Sequence, residues 1–337
     1  SARAPGPGVV YVTQQQAAEE MAEFLRRHGY QARAYHAWMK QEDRDTVQDA
    51  FMASDRMIVA ATIAFGMGID KRDIRYVYHY NLPKSLESYC QEIGRAGRDG
   101  WESICEMFAS PDDVVVLQNF SYGDTPTAEG VDGLVRDVLG RGDAFDVSVY
   151  DLSGQFDVRP IVVKTLLTYL ELDGVIQGTG PFYTEFRFQP QRKSEEIFSR
   201  FDAARGEFLR KIFRQARRGK IWLTLDVDQA SRAIGEPRAR VVAALTYLEE
   251  QGDLVVEAAG LREGYRMGEM PADVGPLVES LVARFERRER LDIERIERLL
   301  AYAQEPGCLT RHLLTYFGEE RGDCGHCARC LGSPAKP

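Results

Sequence analysis

The chain has 337 residues, 44% of them hydrophobic and 28% charged, which is an ordinary globular composition with room for two to four domains. No apolar run approaches the ~18 residues of a membrane helix and no charged start leads into a short apolar core, so neither a membrane span nor a secretory signal is expected. The balance of 43 basic against 52 acidic residues, net −9, excludes a uniformly positive coat but leaves room for a local basic track toward nucleic acid.

From Gly8 to Phe108 short apolar runs alternate with helical patterns. Gly8-Val9-Val10-Tyr11-Val12 suits a buried strand. Thr13 is placed to cap a helix in which Ala17, Met21, Phe24, Leu25 and His28 recur at helical spacing, and Gly29 closes it. A strand Ala32–Tyr35, a helix near Gln41–Met52, strands Met57–Ala61 and Ile74–Tyr80, a helix Leu86–Ala96 and a strand Ile104–Phe108 follow. This order predicts an α/β domain over residues 1–122, a parallel sheet with helices on both faces.

Beyond a linker at Tyr122–Thr127 the pattern becomes mainly helical. Lys164–Gly174 and Val242–Gly252 share a Leu-Thr-Tyr-Leu-Glu core seventy-eight residues apart, each followed by a stretch that reads as a hairpin. In the first, Phe182, Thr184, Phe186 and Phe188 alternate; in the second, Leu254-Val255-Val256 is expected to pair with Leu261–Met267 across Ala259-Gly260. Helices, a longer helix ending at Gly and then a hairpin is winged-helix order, although a run of unrelated helical hairpins fits the same pattern. The expected domains are winged-helix-like segments at 123–192 and 223–272, a basic helical connector at 193–222, and a helical module at 273–337 in which Cys308, Cys324, Cys327 and Cys330 are spaced for binding zinc.

Chemistry concentrates in three places. In Gln91-Glu92-Ile93-Gly94-Arg95-Ala96-Gly97-Arg98, two arginines three residues apart on a helix end share a face, and small neighbours allow a close approach. That suits a triphosphate held across an interface, or simply an arginine pair at a Gly-rich surface. Upstream, Val59–Asp70 runs from a strand into a glycine-bearing loop with Thr62 at its exit and Asp70 beyond, offering a hydroxyl and backbone N–H groups to phosphate. Gly66-x-Gly68 is not a dinucleotide fingerprint, because Lys71 stands where the third glycine belongs. At the far end Cys308, Cys324, Cys327 and Cys330 have the C-x15-C-x2-C-x2-C spacing of a closed tetrahedral zinc site in a reducing compartment. His326 is a competing ligand, and four buried or oxidised thiols are the metal-free alternative. Removing the metal is expected to unfold this module.

Tyr35-His36-Ala37, the Ala60–Asp70 loop and Gln91–Gly100 together resemble motifs IV, V and VI of the RecQ family of superfamily-two DNA helicases, nearly continuously from Gly8 to Gly100. The resemblance implies a second RecA-like motor lobe. It implies Arg98 as the arginine finger on the γ-phosphate of ATP with Arg95 beside it, and Gln91 coupling the nucleotide to the lobe interface. Gly68 and Asp70 fall on the nucleotide side, and Thr13, His36 and Thr62 near phosphates of the tracked strand. Leu313–Glu319 resembles the RecQ zinc module. Trp38 stands where the family usually has Gly; it either stacks on a base or packs on a neighbour. The chain has no Gly-x-x-x-x-Gly-Lys-Ser/Thr and no Asp-Glu-x-His, so the Mg²⁺–ATP-binding first lobe is expected in a longer parent protein, and this chain alone is expected to be inactive as an ATPase. The zinc module follows the winged-helix region instead of motif VI, which resembles the Rothmund–Thomson-type branch.

Arg200–Trp222 carries eight basic residues against two acidic ones, with Arg210, Arg214, Arg217 and Arg218 read as one helical face for DNA phosphates, or as a solvated face. Phe182 and Tyr183 at the first hairpin tip are either a wedge against a base pair or core. The expected function is therefore an ATP-dependent 3′–5′ DNA helicase acting in repair and recombination. The competing readings are a non-enzymatic tandem winged-helix DNA-binding protein and an RNA-directed helicase. The expected partners are single-stranded or junction DNA and ATP, with no membrane. The compartment is expected to be the cytoplasm, in association with the nucleoid, if the source is bacterial, and the nucleus if it is eukaryotic.

Overall fold

The computed structural model describes residues 3–66 and 69–332, and the chain divides into two units. One contains the chain up to Gly123 together with the residues from Glu286 on; the other is Asp124–Phe285.

The first unit is built on strands β1 (Gly8–Tyr11), β2 (Ala32–Tyr35), β3 (Ile58–Ala61), β4 (Tyr76–His79) and β5 (Ile104–Met107), all parallel, in the order β2-β3-β1-β4-β5. The inner strands β1 and β3 are buried almost throughout because helices cover both faces, which is why they read as unbroken apolar runs. Those helices are α1 (Gln15–Arg27), α2 (Gln41–Ala53), α3 (Leu86–Ile93) and α4 (Pro111–Gly123). Three local expectations change. Gln14, not Thr13, is the N-cap of α1, and it makes no side-chain cap bond. Helix α3 stops at Gly94, so Arg95 and Arg98 lie in the turns beyond it. Those turns hold Gly97 at φ 63°, where an added Cβ would come 2.9 Å from the Trp101 carbonyl oxygen. Tyr122 and Gly123 extend α4 and are not linker.

The second unit contains α5 (Ala128–Leu139), β6 (Ala144–Val147), α6 (Val149–Phe156), α7 (Pro160–Leu172), β7 (Ile176–Pro190), α8 (Ser194–Ser199), α9 (Ala203–Gln215), β8 (Arg217–Arg218), β9 (Leu223–Asp226), α10 (Val227–Ile234), α11 (Arg238–Glu250) and β10 (Leu254–Met267). The order strand, helix, helix, long strand occurs twice, so the internal repeat is real at the level of elements. The two hairpins are not. β7 and β10 each run straight on and pair antiparallel over nearly their whole length, from Ile176 opposite Met267 to Pro190 opposite Leu254. The expected turn glycine Gly260 instead allows close approach inside this ribbon, where a Cβ would sit 2.6 Å from Thr184 Oγ1, as one on Gly264 would sit 2.5 Å from Thr179 Oγ1.

Each repeat therefore completes the other. β6 of the first repeat pairs with the last residues of β10, and β9 of the second pairs with the last residues of β7, in the order β6-β10-β7-β9-β8. Phe188, from the first repeat's strand, is fully buried in the core of the second among Ile212, Leu225 and Leu245. Tyr265 and Met267, from the second, pack on the first repeat's core of Leu134, Val163 and Leu166. The segments expected as separate domains at 123–192 and 223–272 form one sheet.

Helix α12 (Val274–Gln304) and α13 (Leu309–Tyr316) end the described chain. Ile296, Leu299, Tyr302 and Leu313 pack on Leu82, Leu86, Tyr89 and Leu117, so the cysteine-bearing segment is bedded on α3 and α4 of the lobe. Tyr316 donates to Glu87 at 2.6 Å across the same contact.

Candidate nucleotide, strand and metal sites

In a parallel α/β sheet, ligand-facing groups collect where strands end at their carboxyl edge. Tyr11, Ala61 and Tyr35 end β1, β3 and β2 in register, so Thr13, Thr62 and His36 follow three neighbouring strands along that edge. Thr62 and His36 are buried. The Thr62 amide donates to the Tyr35 carbonyl at 3.2 Å and its own carbonyl accepts from Phe65, closing a tight turn. His36 Nε2 lies 3.1 Å from Glu19, and its Nδ1 is buried with no partner among the described residues. The Thr13 amide donates to Asn81, whose side chain is held by buried Asp113 on α4.

The two arginines reach the same loop by different routes. Arg98 pairs with Asp70 at 2.8 Å and donates from Nε to the Gly94 carbonyl, leaving its guanidinium part-exposed. Arg95 lies against Gly66 so closely that a Cβ there would come 2.8 Å from Nη2. Gln91 is exposed on α3. Gly68 lies outside the described residues.

A buried pair beneath this site had no role in the motif pattern. His79, at the end of β4, hydrogen-bonds Glu92 on α3 at 2.6 Å and stacks on Tyr11, ring centroids 5.2 Å apart. A histidine and a glutamate, each among apolar residues with a fixed partner, set the pitch of α3 against the sheet. The available signal was a histidine at the buried end of an apolar strand.

The sulfurs of Cys308, Cys324, Cys327 and Cys330 all lie within 4.8 Å of one another. Tetrahedral zinc with ~2.3 Å bonds wants sulfurs about 3.8 Å apart, so the donor set fits. Cys308 is the N-cap of α13, and its sulfur accepts from the amides of Arg311 at 3.4 Å and Cys324 at 3.2 Å. Burial pushes the Cys324 thiol up, but bonds from Thr310 and the amides of His326 and Cys327 outweigh it and hold it at about 6. His326 is exposed and turns its Nδ1 to the Cys324 carbonyl, 2.8 Å away, and does not join the cluster. Cys90 and Cys105 stand apart, with both thiols pushed up by burial, the second to about 11.

Residues 2–100 match the helicase conserved C-terminal domain and residues 272–331 match the RecQ zinc-binding family. Both matched segments are similar to the C-terminal portion of RecQ-family helicases. ATP-dependent DNA helicase Q-like 5 of Arabidopsis thaliana is 34% identical over 172 residues, which cover 50% of this chain and 19% of that protein. ATP-dependent DNA helicase RecQ of Pasteurella multocida is 46% identical over 110 residues, 33% of this chain and 17% of that one. RecQ-like DNA helicase BLM of Xenopus laevis is 49% identical over 112 residues, 33% of this chain and 8% of that one. The chain thus spans less than a fifth of the length of each of these relatives.

The basic track is less uniform than its sequence. Only Arg210 and Arg214 are on α9; Ala216 leaves the helix, and Arg217 and Arg218 form β8 against Leu223 and Thr224, so the four do not share a helical face. Arg210 faces Glu195 and Glu207, Arg214 faces Glu207, and Arg217 pairs with Glu185 at 3.0 Å. Arg200 is tied to fully buried Asp253. Phe182 and Tyr183 lie inside the ribbon, so no hairpin tip exists there to act as a wedge. Trp38, by contrast, is 85% exposed beyond β2.

Proposed function

We propose that this chain is the second motor lobe, paired winged-helix region and zinc module of an ATP-dependent DNA helicase that moves 3′ to 5′ and acts in repair and recombination. One observation carries the reading: Arg95 and Arg98, beyond α3, both engage the loop that leaves β3, whose Thr62 shares the sheet's carboxyl edge with Thr13 and His36. A nucleotide-facing arginine pair and a strand-facing row are thereby joined through one loop. ATP and Mg²⁺ supply the phosphoryl transfer that drives such a motor. Arg98, with Arg95 beside it, is the group for the developing phosphate charge, and Asp70 holds Arg98 until then. Gln91 faces outward for the partner lobe. Zinc is structural, and DNA is the substrate, which places the protein in the nucleoid or the nucleus. The chain order, with the paired winged-helix segments after the lobe and before the zinc module, favours the Rothmund–Thomson-type branch.

The test is strand displacement by the full-length protein on duplexes with a 3′ or a 5′ tail. Unwinding from the 3′ tail alone is expected. Arg98→Ala should lower ATP turnover by about 10³-fold or more while DNA binding persists. Tight DNA binding by wild type without any unwinding would instead establish a tandem winged-helix binding protein on an idle lobe, and unwinding confined to RNA duplexes an RNA-directed helicase.

A further inference from the structure

We propose that Tyr11 is a positioning residue that couples the arginine end of the lobe to the loop facing the tracked strand. This rests on the helicase reading above.

Tyr11 ends β1 with its ring buried and its hydroxyl donating to the Phe65 carbonyl at 3.1 Å. That carbonyl belongs to a loop fixed at one point: the fully buried Phe65 ring contacts Tyr35 of β2 and Phe51 of α2, with centroids 4.7 and 5.4 Å away. Thr62 stands three residues earlier in the same turn and is bonded to Phe65 through the backbone. Arg95, seated on Gly66 next to that carbonyl, also acts on the hydroxyl: its charge opposes the upward push that burial gives the phenol. Arg95 rests on bare Gly66 and has a buried Nε without a partner. Arg98 is held by Asp70, but no carboxylate pairs with Arg95 among the described residues. A half-buried guanidinium with an unsatisfied N–H and no carboxylate partner is ready to change partners when a polyanion arrives.

When Arg95 is drawn toward phosphate it leaves Gly66 and the Tyr11 oxygen. The Phe65 carbonyl then loses the arrangement that fixed the turn, and the change passes to Thr62. The Tyr11 ring itself is held in place, because it stacks on His79, which Glu92 holds. Coupling between binding sites is reciprocal, so DNA at Thr62 favours the displaced Arg95 to the same extent.

The experiment measures the full-length protein's affinity for a thymidine oligonucleotide with and without a non-hydrolysable ATP analogue, and the converse. Wild type should show a coupling factor within the usual span of about 5- to 150-fold. In Tyr11→Phe, which keeps the ring, the factor should fall to about one in both directions, while either affinity measured alone and the melting temperature change little. Gly66→Ala, which pushes Arg95 off its seat, should likewise bring the coupling factor toward one. A coupling factor unchanged in Tyr11→Phe overturns the proposal. Parallel losses of both affinities and of melting temperature with the factor intact also overturn it, because Tyr11 would then be structural only. A wild-type protein that binds neither probe overturns the helicase reading, and this coupling with it.

Discussion

Single residues in this chain are explained by what surrounds them rather than by type. Asp253 is fully buried and accepts from Arg200 at 2.5 Å, with Arg192 at 3.2 Å. Asp253→Ala removes charge-assisted bonds that hold the turn before β10 and should cost ~2 kcal/mol of unfolding free energy, read by urea denaturation. Arg200, counted by composition among DNA-facing cations, is already engaged in this buried pair. Trp38 is the opposite case, a large ring with almost nothing packed on it. Trp38→Ala should leave stability within the ~0.5 kcal/mol of ordinary surface changes. If the indole stacks on a base, the same change should weaken single-strand binding by ~1–3 kcal/mol, with quenching of its fluorescence as the direct signal. Wild-type affinity in Trp38→Ala would end the stacking idea.

At the scale of elements, the exchanged strands make the two helix-and-strand repeats one cooperative body. Phe188→Ala, in a strand of the first repeat, should cost ~3–5 kcal/mol because it empties the core of the second. Hydrogen exchange should show α10 and α11 losing protection directly, and α6 and α7 losing it with them through β10. Loss confined to α10 and α11 would mean that the halves are independent. The zinc module follows the same logic of borrowed stability. Its sulfurs close a loop around the start of α13, and its core is shared with α3 and α4. The protein should contain one zinc per chain. Chelation should melt α13 and loosen its packing on α3, seen as lost helical dichroism and slower ATP turnover in the full-length protein. Metal content well below one per chain would remove the site.

Across the whole molecule, a net charge of −9 coexists with a basic track that is partly answered by its own carboxylates. Exposed ion pairs contribute about 0–1 kcal/mol each, so Arg210, Arg214 and Arg217 can exchange Glu195, Glu207 and Glu185 for phosphate at little cost. Lys211, Arg218 and Lys220 have no carboxylate partner among the described residues. Changing Arg210, Arg214, Arg217 and Arg218 to Glu should weaken DNA binding and flatten its dependence on salt, the logarithmic slope falling by about 0.7–0.9 for each phosphate that is no longer neutralised. An unchanged slope would show that the track is merely solvated.

Much of this was legible along the chain because it depends on near neighbours. The strands β1 and β3, the Arg95/Arg98 stretch and the cysteine spacing are local patterns, and burial on both faces or four sulfurs on one ion follow from them directly. The seventy-eight-residue repeat was equally visible. What the repeats do with their long strands was not, since a glycine-bearing stretch can turn back on itself or continue against a distant partner. Only the antiparallel register of β7 with β10 decides between them. The same holds for His79 with Glu92, Tyr11 with Phe65, and the bedding of α12 and α13 on α3. The sequence by itself determined which groups the protein has and the family they resemble. The tertiary structure decided which of them meet, because the free energy of a buried hydrogen bond or a shared core exists only once residues far apart in the chain exclude water together.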